Sequence, residues 1–358
     1  MNRKMARCWN PMKMKEGKPM KANCLPHIFL ALLLSAATSL CAAQSYNIKD
    51  LGALAGGAFA EAQAINAGGQ VTGLAAVSGN SGDVFLYSHG KMTDVGSLGG
   101  SKAIGNGINK SAVIAGYSTN PAGTYRAFVT VDGVVTDIGD LGGGSAIAYA
   151  LNDSGAVVGS SYTNAGPSDP FLYSNGKMID LGTLGGHQAW NQATGINNAG
   201  VVVGSAWSGS GGYFAFVWKK GKMKNLGTLG GGGSEAFAIN NKGQIAGAAY
   251  RTDNALHAFI TAGRKLKDLG VIAGGDTSWA FGINNSGFVV GQSTYGNTGN
   301  YHAFVSDGKK MKDLNNLVPT NSGWDLYVAN GINDAGQIVG YGTHNSGTNM
   351  RAFLLTPR

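Results

Sequence analysis

Along residues 46–357, short apolar runs alternate with clusters of Gly, Asn, Asp and Ser. Runs of that length bounded by turn residues predict β-strands, and no stretch shows the helical period. The pattern also repeats. Ile-Asn, once Leu-Asn, recurs at Asn66, Asn109, Asn152, Asn197, Asn240, Asn284 and Asn333, with spacings of 43, 43, 45, 43, 44 and 49 residues. Seven positions after each Asn stands a Gly (Gly73, Gly116, Gly159, Gly204, Gly247, Gly291, Gly340), followed by a Phe (Phe85, Phe128, Phe171, Phe216, Phe259, Phe304, Phe353). A third marker is Asp-Leu-Gly or a close variant, at Asp50, Asp94, Asp137, Asp180, Asn225, Asp268 and Asp313. Three markers in register seven times define a tandem array of roughly 44-residue units.

Each unit reads as four strands. In the fifth they are 234–240, 244–250, 257–261 and 265–269. Asn-x-x-Gly joins strands one and two, a type I turn followed by a left-handed residue. Ala112 takes the Gly position in the second unit and is expected to be strained by about 1 kcal/mol. Pairs such as Asp132-Gly133 and Asn175-Gly176 join strands three and four as tight hairpins.

Strands such as Val201-Val202-Val203 are apolar at consecutive positions, so both sheet faces must be covered. Blades stacked around an axis do this, and the Ala and Gly of strand one suit the crowded centre. A β-helix, the next candidate, needs more uniform coils. The chain opens with a lone fourth strand, 46–52, and closes with a third strand, 352–357, that lacks a fourth. The predicted fold is therefore all-β: a seven-bladed β-propeller with four antiparallel strands per blade, its ring closed by pairing those two segments. Burial of Ile48 and Leu51 there is expected to contribute roughly 3–6 kcal/mol.

The charge balance changes once the N-terminus is considered. Residues 1–43 carry a basic region, the apolar run from Ile28 to Leu34 and small residues ending at Ala43, the pattern of a secretory signal peptide. Met20-Lys21 offers a more ordinary start for such a leader. The apolar stretch is shorter than the roughly 20 residues of a spanning helix, which argues against a retained anchor. Thr38-Ser39-Leu40 before Cys41 does not suit a lipidation site. Of 27 Lys and Arg and 19 Asp and Glu, the leader holds Arg3, Lys4, Arg7, Lys13, Lys15, Lys18, Lys21 and Glu16. Residues 44–358 are thus nearly neutral, which removes the case for nucleic-acid binding that the formal +8 of the whole chain suggests. Cys8, Cys24 and Cys41 all fall in the leader, so the 44–358 domain is expected to have neither disulfide nor thiolate chemistry.

His257-Ala258-Phe259 and His302-Ala303-Phe304, set between the Ile-Asn and Asp-Leu-Gly markers, resemble the HAF family of bacterial extracellular repeats. The resemblance covers the whole of 44–358, to Asp313-Leu314-Asn315-Asn316-Leu317-Val318-Pro319 in the last repeat. Arg126, Arg351, Phe214, Asp83 and, followed by Pro170, Asp169 stand where the motif has His. It implies a secreted or cell-surface protein, with the periplasm as the alternative, and it transfers no catalytic residue.

Residues present in nearly every unit are architectural, which applies to the repeated Asn, Asp and Gly, and the motif histidines His257 and His302 are read with them as packing or turn partners. Two loop histidines, His187 and His344, do not make a metal site. Neither a Gly-x-Ser-x-Gly elbow nor a dinucleotide loop occurs, so no cofactor is implied. The loops after strands two and four share one end of the array and vary in sequence. There lie His187, Trp190, Trp207, Tyr250, Trp279, Tyr295, Trp324 and His344, the candidate ligand-binding residues: aromatic planes among small polar residues form recognition surfaces. The first expectation is a monomeric, non-catalytic recognition or scaffold module that binds a glycan or a protein. The second is a glycan-cleaving enzyme using Glu61 and Glu235, which share a repeat position, with Asp276 and Asp325 near them. The third is a purely structural envelope protein.

Overall fold

The computed structural model describes residues 45–77, 82–186, 190–263, 265–296 and 299–358; the predicted leader lies outside them. The described residues form seven four-stranded antiparallel sheets arranged as a seven-bladed propeller. Six blades are consecutive in sequence. Blade 7 takes three strands from the end of the chain (Trp324–Ile332, Ile338–His344, Arg351–Pro357) and its fourth, Tyr46–Asp50, from the beginning.

The repeat markers form a row across every blade. In blade 5, Gly247 pairs with Phe259 and Phe259 with Asp268; in blade 7, Gly340 pairs with Phe353 and Phe353 with Asp50. A β-bulge in strand one, such as that between Ala236 and Ala238, drives a backbone carbonyl toward the glycine. A Cβ on Gly247 would stand 2.0 Å from the Glu235 oxygen, and one on Gly291 1.8 Å from that of Trp279. Only glycine fits. The paired phenylalanine then covers the bare backbone, and all seven Phe side chains are fully buried. Each packs on the preceding blade: Phe85 on Val339 and Ala352, Phe259 on Val203 and Ala215. The core is therefore a set of inter-blade layers, each Phe contributing about 2–3 kcal/mol of burial.

The repeated Asp closes the row. Its Oδ1 accepts the N–H two residues on, at 2.7 Å for Gly96, Gly182 and Gly270, and that glycine has positive φ. The strand-three residue two before Phe, where it is His or Arg, reaches the same carboxylate. His257 Nδ1 lies 2.9 Å from Asp268, His302 Nδ1 2.7 Å from Asp313, and Arg126 Nε 2.8 Å from Asp137. The His or Arg of the motif thus locks strand three to strand four. In blade 1 the same position holds Asp83, whose carboxyl is raised by burial and by the charge of Asp94.

The repeated Asn acts between blades. Each accepts backbone N–H groups of its own turn through Oδ1 and donates Nδ2 to the carbonyl of the next Asn. The bonds run from Asn66 to Asn109 (2.9 Å) around to Asn333, which donates to Asn66 (3.1 Å). Seven donors and seven acceptors form a closed circle. Above it, the Ile or Leu before each Asn, from Ile65 to Ile332, lines both axial cavities, of about 290 and 400 Å³. The channel is apolar at that level, between a polar lower mouth and a mixed upper one.

Ring closure follows the predicted pairing, over Tyr46–Asp50 and Arg351–Pro357. Leu51 is buried as expected, but Ile48 is only half-buried, and Tyr46 takes the deeper place. Tyr46 packs in the layer with Leu314, Leu326 and Leu355, while Ile48 lies at its margin. Arg351 pairs with Asp50 at 3.0 Å, and Arg358 bonds Asn47 at 2.8 Å, across the seam. Ala112 has φ of +60°, the strained conformation that its position predicts. In blades 3 and 5 strand one starts earlier than its apolar residues suggest, at Gly142 and Gly230. Their glycine runs pair through backbone alone.

Candidate functional site

The tight turns between strands one and two and between three and four lie at one end of every blade, so loops after strands two and four share the other, upper face. Five large aromatic residues are exposed among the described residues: Trp190 at 74%, and Tyr125, Tyr162, Tyr250 and Tyr301 at 38–46%. All five are on this face. The exposed large aliphatics, Val131, Val134 and Ile179, belong instead to the outer hairpins.

The aromatics are held in place rather than loosely displayed. Tyr162 and Tyr250 end strand two of blades 3 and 5 and lie over the extended glycine strands. A Cβ on Gly143 or Gly231 would stand 2.6 or 2.7 Å from the Cβ of the tyrosine above it. Trp207 meets Tyr213 edge-on at 5.0 Å, and Trp279 meets Tyr301 at 5.8 Å. Trp324 stacks on His344 at 4.9 Å, and Tyr295 on His302 at 3.4 Å. Trp190 has φ of +82° and donates its N–H to Ser168 Oγ at 3.1 Å. His187 lies outside the described residues.

The four carboxyls of the enzyme reading have different surroundings. Glu61, half-buried in strand one of blade 1, is raised by burial and partly restored by the charge of Lys102. Its charge in turn helps to raise Tyr341 and Tyr117. Glu235 in blade 5 reaches more solvent, yet neighbouring protein still raises it, and its charge acts on Tyr213. Asp276 accepts from Thr294 Oγ1 at 2.8 Å. Asp325 starts blade 7 and lies 3.5 Å from His302 Nε2. Asp276 and Asp325 thus have partners of their own, while Glu61 and Glu235 stand in separate blades with different electrostatic surroundings. Among the described residues no group of three or more His, Cys, Asp or Glu is arranged to hold a metal ion.

On the upper face a cavity of about 490 Å³ opens between blades 6 and 7. Of the predicted residues it takes Tyr295 and Asp325. It adds Gln292, Asn300, Tyr301, Tyr327 and Tyr341, none of them among the candidate residues read from the sequence. The signal that could have found them is the 49-residue spacing between Asn284 and Asn333, the longest in the array.

No protein-family model matches the chain, and no curated protein matches it. Solved structures do. The β-propeller domain of the Trilobed protease from Pyrococcus furiosus is 10% identical over 84% of this chain and 96% of that one, with a TM-score of 0.55. Oligogalacturonate lyase from Vibrio parahaemolyticus is 8% identical over 87% and 97%, also at 0.55. At such identities the likeness is one of fold. The Pyrococcus domain is described as having an open velcro topology, whereas here Tyr46–Asp50 pairs with Arg351–Pro357 in the seventh sheet. Among the described residues no helix is long and apolar enough to cross a membrane.

Proposed function

We propose that this chain is an exported recognition module that engages a glycan or a protein through the upper face of its propeller. The observation that carries the reading is the placement of the exposed aromatics: all five described ones open on that face. Exposed aromatic rings cost solvation and are tolerated where a partner covers them. Tyr and Trp give large contact area at low entropic cost, and rigidly held planes suit sugar rings as well as protein side chains. The leader-like residues 1–43 and the resemblance to HAF repeats support a secreted or surface location. The repeated polar residues are consumed by the architecture, through the Asn circle and the Asp-to-His or Asp-to-Arg locks, which leaves the variable loops as the part free to specify a partner.

The test is a glycan array and a partner pull-down with the parent protein and with the upper-face variants Trp190→Ala, Tyr250→Ala and Tyr301→Ala. Retention of one ligand class, weakened by at least one of these changes and without product formation, supports recognition. Turnover abolished by Glu61→Gln or Glu235→Gln would replace it with the glycan-cleaving reading.

A further inference from the structure

We infer that the cleft between blades 6 and 7 is a pocket for a neutral saccharide; this rests on the recognition reading above and gives it a place and a ligand class. The repeat breaks its own rules at this cleft. After Asp313 the usual glycine is replaced by Asn315, and the chain turns through a short 3₁₀ helix, Leu314–Asn316, before blade 7 begins. Asn315 fixes the new path by bonding both the N–H (2.8 Å) and the carbonyl (3.0 Å) of Leu326.

Strand one of blade 7 then carries a second bulge. In blades 1, 2, 3, 5 and 6 the residues at this level pair without interruption, as in Ser234-Glu235-Ala236. Blade 7 inserts Tyr327 between Leu326 and Val328. Bulges of this kind re-aim side chains beside sites. Tyr327 lines the cavity, and its hydroxyl is held 3.1 Å from Thr343 Oγ1.

The walls have the chemistry of a sugar site. Tyr295, Tyr301, Tyr327 and Tyr341 offer ring faces and hydroxyls, Gln292 an amide that both donates and accepts, and Asp325 a carboxylate. The C–H face of a pyranose stacks on an aromatic plane, and adjacent hydroxyls donate to a carboxylate in short, charge-assisted bonds. The walls are also preorganised. Tyr295 stacks on His302, which lies between Asp313 (2.7 Å) and Asp325 (3.5 Å), and Tyr301 leans on Trp279. Burial and the charge of Glu61 raise Tyr341, leaving it further from ionisation than an ordinary phenol. A volume near 490 Å³ lies in the range of pockets for small ligands, about 300–1,000 Å³. Asp325 repels uronates and phosphosugars, and no cationic side chain among the lining residues offsets it, which disfavours anionic sugars.

The probes are methyl glycosides and disaccharides of glucose, galactose, mannose and N-acetylglucosamine, with glucuronate and galacturonate as charged comparators, titrated calorimetrically into the exported protein. A neutral sugar should bind and the uronates should not. Tyr301→Ala, at a partly exposed position, should weaken binding roughly tenfold. Asp325→Asn should weaken the neutral ligand and admit the uronates, while Ile179→Ala, on an outer hairpin of blade 3 away from the upper face, should change nothing. Sugar binding that survives Tyr301→Ala and Asp325→Asn but is lost in Tyr250→Ala overturns the pocket and leaves upper-face recognition standing. So does a protein partner captured through the upper face when no sugar binds. A uronate preferred by the parent overturns the ligand class. Neither sugar nor partner overturns both proposals.

Discussion

Asn333 donates its side-chain amide to the backbone carbonyl of Asn66, 3.1 Å away and 267 positions earlier in the chain. The bond is the same as the six between sequential blades, so the seam is fastened at the axis like any other boundary. Around it, residues 46–50 fasten the rim. The ring is thus closed twice, at its inner and outer radii, by different chemistry.

Asn333→Ala should destabilise the protein by about 2–4 kcal/mol. It removes the donor to Asn66 and the Oδ1 that accepts the Gln337 N–H, leaving buried groups unpaired. Asn197→Ala, which breaks the equivalent bonds away from the seam, should cost a similar amount. Urea denaturation of both variants checks this, and a seam variant far weaker than the other would show that the boundaries are not equivalent.

Gly247→Ala should prevent stable folding, because its Cβ would collide with the Glu235 carbonyl at 2.0 Å and with the Phe259 ring at 2.8 Å. Gly221→Ala, at φ of +77° with open space around it, should cost only about 1 kcal/mol. Ala112→Gly should stabilise by a comparable amount, since it relieves φ of +60°. Thermal melts of the three order these effects.

Deleting residues 44–52 should leave an aggregated or readily proteolysed chain, because it exposes the edge of the strand Arg351–Pro357 and uncovers the layer that Tyr46 and Leu51 fill. Limited proteolysis and gel filtration report the outcome. A deletion variant that melts within a few degrees of its parent would show that the clasp contributes little.

Burial pushes the Tyr46 phenol up to about 12. In the unfolded chain it ionises near 10, so its contribution is intact below pH 10 and is lost as pH rises toward 12, by about 1.4 kcal/mol per unit. Tyr46→Phe should therefore be less sensitive to pH between 10 and 12 than the parent. Denaturant midpoints at pH 8, 10 and 11.5 measure the difference.

The architecture was legible because its determinants are backbone requirements repeated in each blade. Gly73, Phe85 and Asp94 form one row, and every row repeats the Gly and the Phe with an Asp at its end, or Asn225 in blade 4. What escaped was the irregular part. The runs Gly142-Gly143-Gly144 and Gly230-Gly231-Gly232 read as loop because glycine has low strand propensity, yet their backbones join strand one beneath Tyr162 and Tyr250. Tyr327 escaped for a related reason: one inserted residue leaves an apolar strand looking apolar, and only pairing shows which side chain is turned out. Ile48 and Tyr46 are both plausible core residues by type, and the register of a single strand chose between them.

Completing the rim clasp brings Asp50 against Arg351, partners 301 positions apart. A chain synthesised from its N-terminus must therefore hold residues 46–50 unpaired until the strand Arg351–Pro357 emerges. Blades 1 to 6 can assemble meanwhile from neighbouring segments, but the ring closes only when that strand is made. Delivery of Arg351–Pro357 thereby becomes the trigger for completing the circle.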